Sequence, residues 1–219
     1  MRAPLAVAVL VSGEGTTLEG LALRAAADGG GFRISLVVSD RPGATALVRA
    51  SSLGLRSIVV PVAGRDTEAF GQDLTAALES AGTQVVVLAG FLSILPASWV
   101  ARWRGRAINV HPSLLPKYGG RGMHGRRVHE AVLAAGDPET GVTVHLVTGD
   151  VDGGPPIAQR RMPVRAGDTP ESLRSRLRPI EVELVGSTLG RFADGTLPLP
   201  YPGGEEPAPE TRPERARRA

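Results

Sequence analysis

Residues 85–89 read Val-Val-Val-Leu-Ala, five apolar positions in succession with no polar residue between them. A strand with one face in water alternates apolar and polar side chains, whereas an unbroken apolar run belongs to a strand covered on both faces, as in a parallel sheet. Working outward, further strand candidates lie at 5–11, 34–39, 57–60, 84–89, 107–111 and 142–147. Helical periodicity falls between them at 17–27, 44–53, 67–81 and 127–135. Strands alternating with helices predict an α/β fold, a doubly wound and mostly parallel sheet with helices on both faces. After residue 147 the rhythm changes to a Gly-Pro-rich turn, a strand near 157–164 and a long helix over 169–190. Trp99 and Trp103, four residues apart, predict one helical face packed on the sheet. Residues 1–202 read as one folded domain. Residues 203–219 are rich in Pro, Glu and Arg without apolar periodicity, and predict a disordered tail.

A chain of 219 residues can bury a full core. It holds no cysteine, which removes disulfides, thiol nucleophiles and zinc-thiolate sites from consideration. No apolar run is long enough to cross a bilayer and the first residues lack an export-signal pattern, so a cytoplasmic protein without membrane attachment is expected. Arginines are interspersed with acids and the net charge is only +3, so no basic stripe suggests a nucleic-acid partner. No cluster with metal-ligand spacing is present, and no metal is expected.

In open parallel sheets ligands sit beyond the carboxyl ends of the strands, which directs attention to the residues just after each strand. The first strand runs into Ser12-Gly13-Glu14-Gly15-Thr16-Thr17-Leu18. Glycines permit a tight turn, and the following helix N-terminus offers free N–H groups to a phosphate. Leu18 stands where a dinucleotide fingerprint requires a third glycine, although Asp40 after the second strand matches that fingerprint's acidic residue. A Gly-rich turn with a Thr helix cap fits the same residues.

The later stretch Ile108-Asn109-Val110-His111-Pro112-Ser113 is more telling. Residues two apart on a strand share a face, so Asn109 and His111 project into one space, and Pro112 holds His111 extended. An amide donor beside an imidazole suits oxyanion stabilisation with proton transfer. Thr148-Gly149-Asp150-Val151-Asp152-Gly153-Gly154 also follows a strand and can return a carboxylate to that crevice. Such a carboxylate is expected to raise the His111 pKa.

The segments "VLVSGEGTTL", "VVVLAGFLSIL", "INVHPSLLPKYGG" and "ETGVTVHLVTGDVDGGPPIAQ" resemble those of the phosphoribosylglycinamide formyltransferase family over about residues 5 to 200. The resemblance implies a Rossmann-like formyltransferase fold, with 10-formyltetrahydrofolate as co-substrate and no metal. It implies small-molecule substrates and direct formyl transfer to the amine of phosphoribosylglycinamide in purine biosynthesis. By the same resemblance Asn109, His111 and Asp152 are catalytic. Gly15, Thr16, Thr17 and Glu181 bind phosphoribosylglycinamide. Leu92, Ser93, Ile94 and Leu95 receive the folate together with Asn109, Thr148, Gly149, Asp150, Val151 and Asp152. Thr67 and Ser93 stand where relatives carry arginines, leaving Arg65 as a substitute for the first. Pro179, two residues before Glu181, costs about 3 kcal/mol inside a helix unless the helix kinks, and such a kink is expected to shift the Glu181 contact.

Among the remaining candidates, His145 reads as a satisfied structural histidine and His129 as an exposed helix residue. His124 reads as a loop residue near the site, and Glu139 and Glu171 as helix or loop surface. Lys117 fits a solvated loop lysine or an anion contact. Three rival readings are a formyltransferase for another amine such as methionyl-tRNA or a nucleotide sugar, a deformylating hydrolase, and a non-catalytic nucleotide-binding module. A tRNA-acting relative is expected to carry a further C-terminal domain and a hydrolase an N-terminal one; a binding module leaves Asn109, His111 and Asp152 without a role.

Overall fold

A computed structural model describes residues 3–27 and 31–202. The predicted tail at 203–219 lies outside the described residues. Seven strands form one sheet in the order β3-β2-β1-β4-β5-β6-β7. The strands are β1 (Leu5–Val11), β2 (Phe32–Ser39), β3 (Ser57–Val59), β4 (Val85–Leu88), β5 (Ala107–His111), β6 (Glu139–Leu146) and β7 (Pro156–Pro163). The first five are mutually parallel, while β6 and β7 pair antiparallel. The mostly parallel α/β expectation therefore holds, with an antiparallel edge.

The central strands show why apolar residues run without alternation. Val7, Val9 and Val11 of β1, with Val85 and Val87 of β4, enter one core; Ala8, Leu10, Val86 and Leu88 enter the other. The first core is covered by α1 (Thr16–Ala27), α2 (Thr45–Ser52), α5 (Arg126–Ala134) and α6 (Pro170–Asp194). The second is covered by α3 (Thr67–Ser80) and α4 (Ala97–Arg102). Trp99 and Trp103 lie in the second core with ring centroids 6.1 Å apart, as their spacing predicts.

Two differences from the sequence reading go beyond a residue or two at an element's end. β6 begins at Glu139, three residues before the first Val, because Thr140 and Gly141 already pair with Met162 and Arg161 of β7. Glu139 is thus a strand residue, paired with Arg161. α6 continues through Pro179 as one helix of 25 residues, starting from a capping box between Thr169 and Ser172 and ending at Gly195, whose φ is 84°.

Candidate active site

The order of strands reverses between β1 and β4, and the segments that follow them line one cleft of about 610 Å³. This is the switch point at which open α/β sheets bind ligands. Gly15, Thr16 and Thr17 line one end with Glu181. Leu92, Ser93, Ile94 and Leu95 line another wall, Thr148 to Asp152 a third, and Asn109 and His111 stand between them. Every site residue expected from the sequence therefore borders the same space.

At the first end, Gly15 has φ 73° and a Cβ there would lie 2.6 Å from that of Ala46, so the turn into α1 accepts only glycine. The N-terminal turn of α1, whose first amides have no partner within the helix, borders this end of the cleft and suits an anion. Thr17 Oγ1 donates to Glu181 Oε2 at 3.0 Å, so Pro179 has not displaced that carboxylate. Burial raises the Glu181 pKa against the Thr17 hydrogen bond and the charges of Arg174 and Arg178. Those two arginines of α6 both reach Glu14 Oε2 at 2.8 Å. The Arg174 hydrogen bond leads the contacts that hold Glu14 below its usual carboxylate range.

Asp40 serves a different purpose from a ribose ligand. Its buried carboxylate accepts from Ser12 Oγ at 2.9 Å, from Ser93 Oγ at 2.5 Å and from Arg41. Ser12 Oγ in turn accepts from the Leu92 N–H at 2.9 Å. One carboxylate thus ties the Gly-rich turn to the 92–95 loop, and it stays ionised: burial opposes the charge, but Arg41, Ser93 and Ser12 outweigh it. Ser93, where an arginine was expected, belongs to this tie. Arg65 pairs with Asp73 at 2.5 Å and does not border the cleft, so it supplies no substitute contact. Lys117 likewise pairs with Asp137, as a loop lysine.

At the centre, Asp152 collects the polar groups. Its Oδ2 accepts from the Gly120 N–H at 3.0 Å and lies 3.5 Å from His111 Nδ1; its Oδ1 accepts from Asn109 Nδ2 at 3.2 Å and lies 3.6 Å from His145 Nε2. A Cβ on Gly154 would fall 1.8 Å from Leu146 O, so only glycine lets the 148–154 turn fold back and aim Asp152 inward. Asp152 (φ 55°) and Tyr118 (φ 60°) both occupy left-handed backbone. Tyr118 O accepts from His111 Nε2 at 2.8 Å, so both strained residues hold His111.

The expected rise of the His111 pKa is corrected by its burial. Desolvation lowers the pKa, and the Asp152 charge and Tyr118 carbonyl, which favour the protonated ring, offset only part of that. Burial also opposes ionisation of Asp152, yet contacts with His145, His111 and Gly120 keep its pKa below the ordinary value.

His145, read from sequence as a structural histidine, is satisfied but belongs to the site. Its Nδ1 donates to Leu146 O at 2.9 Å, which leaves Nε2 to accept from Asn109 Nδ2 at 3.0 Å. It is two positions along β6 from Thr143, in register with Asn109 across the antiparallel pair. That cross-strand register is the signal a reading of one strand at a time lacks. His129, expected to be exposed, is buried and borders the cleft, and His124 borders it too. Among the described residues, no group of three or more His, Asp or Glu is arranged to hold a metal ion, and no helix is long and apolar enough to cross a membrane.

Residues 5–189 match the family model described as "Formyl transferase". The chain is 35% identical over 194 residues to the phosphoribosylglycinamide formyltransferase of Escherichia coli (strain K12), covering 88% of this chain and 89% of that protein. It is 40% identical over 195 residues to the trifunctional purine biosynthetic protein adenosine-3 of Drosophila melanogaster, covering 87% of this chain but only 14% of that much longer protein. Among solved structures, the phosphoribosylglycinamide formyltransferase of Coxiella burnetii superposes with a TM-score of 0.82 at 38% identity, covering 89% and 90% of the two chains. With the family model spanning almost all of the sheet and the cleft at its switch point, the chain belongs to the formyl transferase family.

Proposed function

We propose that this chain transfers a formyl group from 10-formyltetrahydrofolate to the amine of N1-(5-phosphoribosyl)glycinamide, giving the N-formyl product of de novo purine biosynthesis. The observation that carries the reading is the joining, in one cleft, of an anion-binding helix end with the Asn109, His111 and Asp152 cluster. The acceptor's phosphate lies on the Gly15, Thr16 and Thr17 turn, with Glu181 beside it. The pteridine ring of the donor lies between the 92–95 loop and the 148–152 turn. Leu92, Ile94 and Val151 are exposed apolar side chains there, suited to the faces of a flat heteroaromatic ring.

The neutral amine attacks the formyl carbon, the C–N bond forms and the carbonyl oxygen becomes an oxyanion. His111 in its protonated form and an Asn109 N–H stabilise that charge. Both Asn109 Nδ2 protons are engaged, one by His145 and one by Asp152. The 3.2 Å bond to Asp152 is the longer, and an oxyanion displaces it. As the C–N10 bond breaks, His111 gives its proton to N10 and then takes the proton lost by the amine, so the ring ends as charged as it began, with Asp152 stabilising that charge. Removal of one such oxyanion donor typically costs on the order of a hundredfold or more in turnover.

The test mixes purified protein with a 10-formyl folate analogue and phosphoribosylglycinamide and follows release of the deformylated folate by absorbance. Turnover that requires the amine and collapses in His111→Ala supports the reading. Folate release without amine reveals a hydrolase instead, and binding of neither substrate removes the assignment.

A further inference from the structure

His129 is the one histidine bordering the cleft that both lies buried and lacks a partner among the described residues. His129, on α5, is 2% exposed and borders the cleft. Nδ1 is buried with no hydrogen bond, whereas the buried His111 and His145 each hold a backbone carbonyl. A buried polar atom without a partner destabilises a protein, so its retention calls for a reason.

Position and charge supply one. The groups whose charges act on His129 are Arg174, at the Gly-rich turn's end of the cleft, His111, at the reacting centre, and Glu171. Burial first, then Arg174 and His111, bring its pKa to about 4, so the ring is neutral and has one N–H and one lone pair to offer. His129 thus borders the cleft within electrostatic reach of both the phosphate-turn end and the reacting centre, the two places between which the acceptor carries its sugar. A charged partner is ill-matched there: the phosphate has the helix end, and the attacking amine must be neutral.

We propose that His129 recognises a ribose hydroxyl of the acceptor, donating to or accepting from it, and so sets selectivity for a ribosylated amine over one lacking that hydroxyl. This contact rests on the formyl-transfer reading above. A site built to hydrogen-bond a substrate hydroxyl rejects the analogue without it more strongly than an apolar wall does, because the protein's polar group is then left unpaired.

The experiment compares wild type with His129→Leu and His129→Asn, measuring KM for phosphoribosylglycinamide, for an analogue lacking one ribose hydroxyl, and for the formyl donor, together with Tm without ligand. His129→Leu is expected to raise the acceptor KM about tenfold, the scale of one lost hydrogen bond. It leaves the donor KM near wild type and erases most of the preference for the full ribose. Its Tm without ligand equals or exceeds wild type, because an orphaned polar atom is replaced by an apolar one; a residue conserving structure alone gives the opposite sign. His129→Asn keeps a hydrogen-bonding group and retains part of the preference, and it is read alone if the Leu variant does not fold. Unchanged acceptor KM and unchanged ribose preference in the variants overturn the proposal, as does a rise confined to the donor KM. Wild-type protein that turns over while the variants match it sinks this contact only. Wild-type protein with no turnover sinks the reaction it rests on.

Discussion

Asp152→Asn isolates the charge of Asp152 from its shape. Asparagine tolerates the left-handed φ of 55° as well as aspartate does, and its side-chain oxygen still accepts from the Gly120 N–H. What disappears is a negative charge 3.5 Å from His111 Nδ1, together with the oxygen that accepts from Asn109 Nδ2. At an effective dielectric constant of about 20, that pair is worth about 5 kcal/mol, and water in the open cleft reduces it. Without that charge the His111 pKa falls further, in the direction in which burial already pushes it. Turnover at pH 7.5 is expected to drop by about a hundredfold or more, the scale of one lost oxyanion donor. The alkaline limb of the kcat/KM profile, where His111 loses its proton, moves to lower pH. The assay is the pH dependence of folate release, with the His111 ring followed by NMR titration in parallel. A uniform loss across pH with an unmoved His111 titration refutes the charge argument and leaves Asp152 as a hydrogen-bond acceptor only.

Other perturbations read other parts of the site. Folded protein releases the His129 proton near pH 4 and unfolded chain near pH 6.5, so the unfolded state holds more protons between them and stability falls as pH drops through that window, by about 3 kcal/mol in all; urea midpoints against pH should show a slope that His129→Leu flattens. Gly15→Ala forces a Cβ to 2.6 Å from that of Ala46 at a φ of 73°, so calorimetry should find a loss of about 1–3 kcal/mol, with the acceptor KM raised more than the donor KM. Asp40→Ala strips the shared acceptor from Ser12 and Ser93, and is expected to lower stability by about 3 kcal/mol and to raise both substrates' KM values together, as steady-state kinetics would reveal. His145→Leu frees an Asn109 proton from its fixed acceptor; kcat should fall about tenfold or more with the KM values little changed, and His145→Gln should restore part of it.

The parallel core was legible because its signal is local. A strand covered on both faces is apolar at every position, and Val85 to Leu88 distribute alternately between the two cores as that pattern requires. The start of β6 was hidden for the complementary reason. Glu139 and Gly141 have poor strand propensity, and it is the pairing of residues 139–141 with β7 that makes them a strand. Pro179 misled in the same way. Proline disfavours a helix interior, but Leu177, Leu184, Val185 and Leu189 bury one face of α6 against the sheet, and that packing carries the helix through it.

The site divides along the same line. Asn109 and His111 are two apart on one strand, so their common direction follows from sequence, and Gly15 and Gly154 stand where backbones approach too closely for any side chain. Asp40, His129 and His145 are different, since each acquires its meaning from a partner on another element: Ser12 with Ser93, the cleft wall against α6, and Asn109 across the β5–β6 pair. The fate of His111 shows why this matters for chemistry. The sign of a neighbouring charge can be inferred from a motif, whereas desolvation depends on how many other elements close around the ring. Here the ring is closed in, its intrinsic pKa drops, and Asp152 becomes necessary to hold a proton that burial would otherwise expel. A proton held between opposing influences is readily given up and regained, which is the condition a group must meet to take a proton from one nitrogen and deliver it to another.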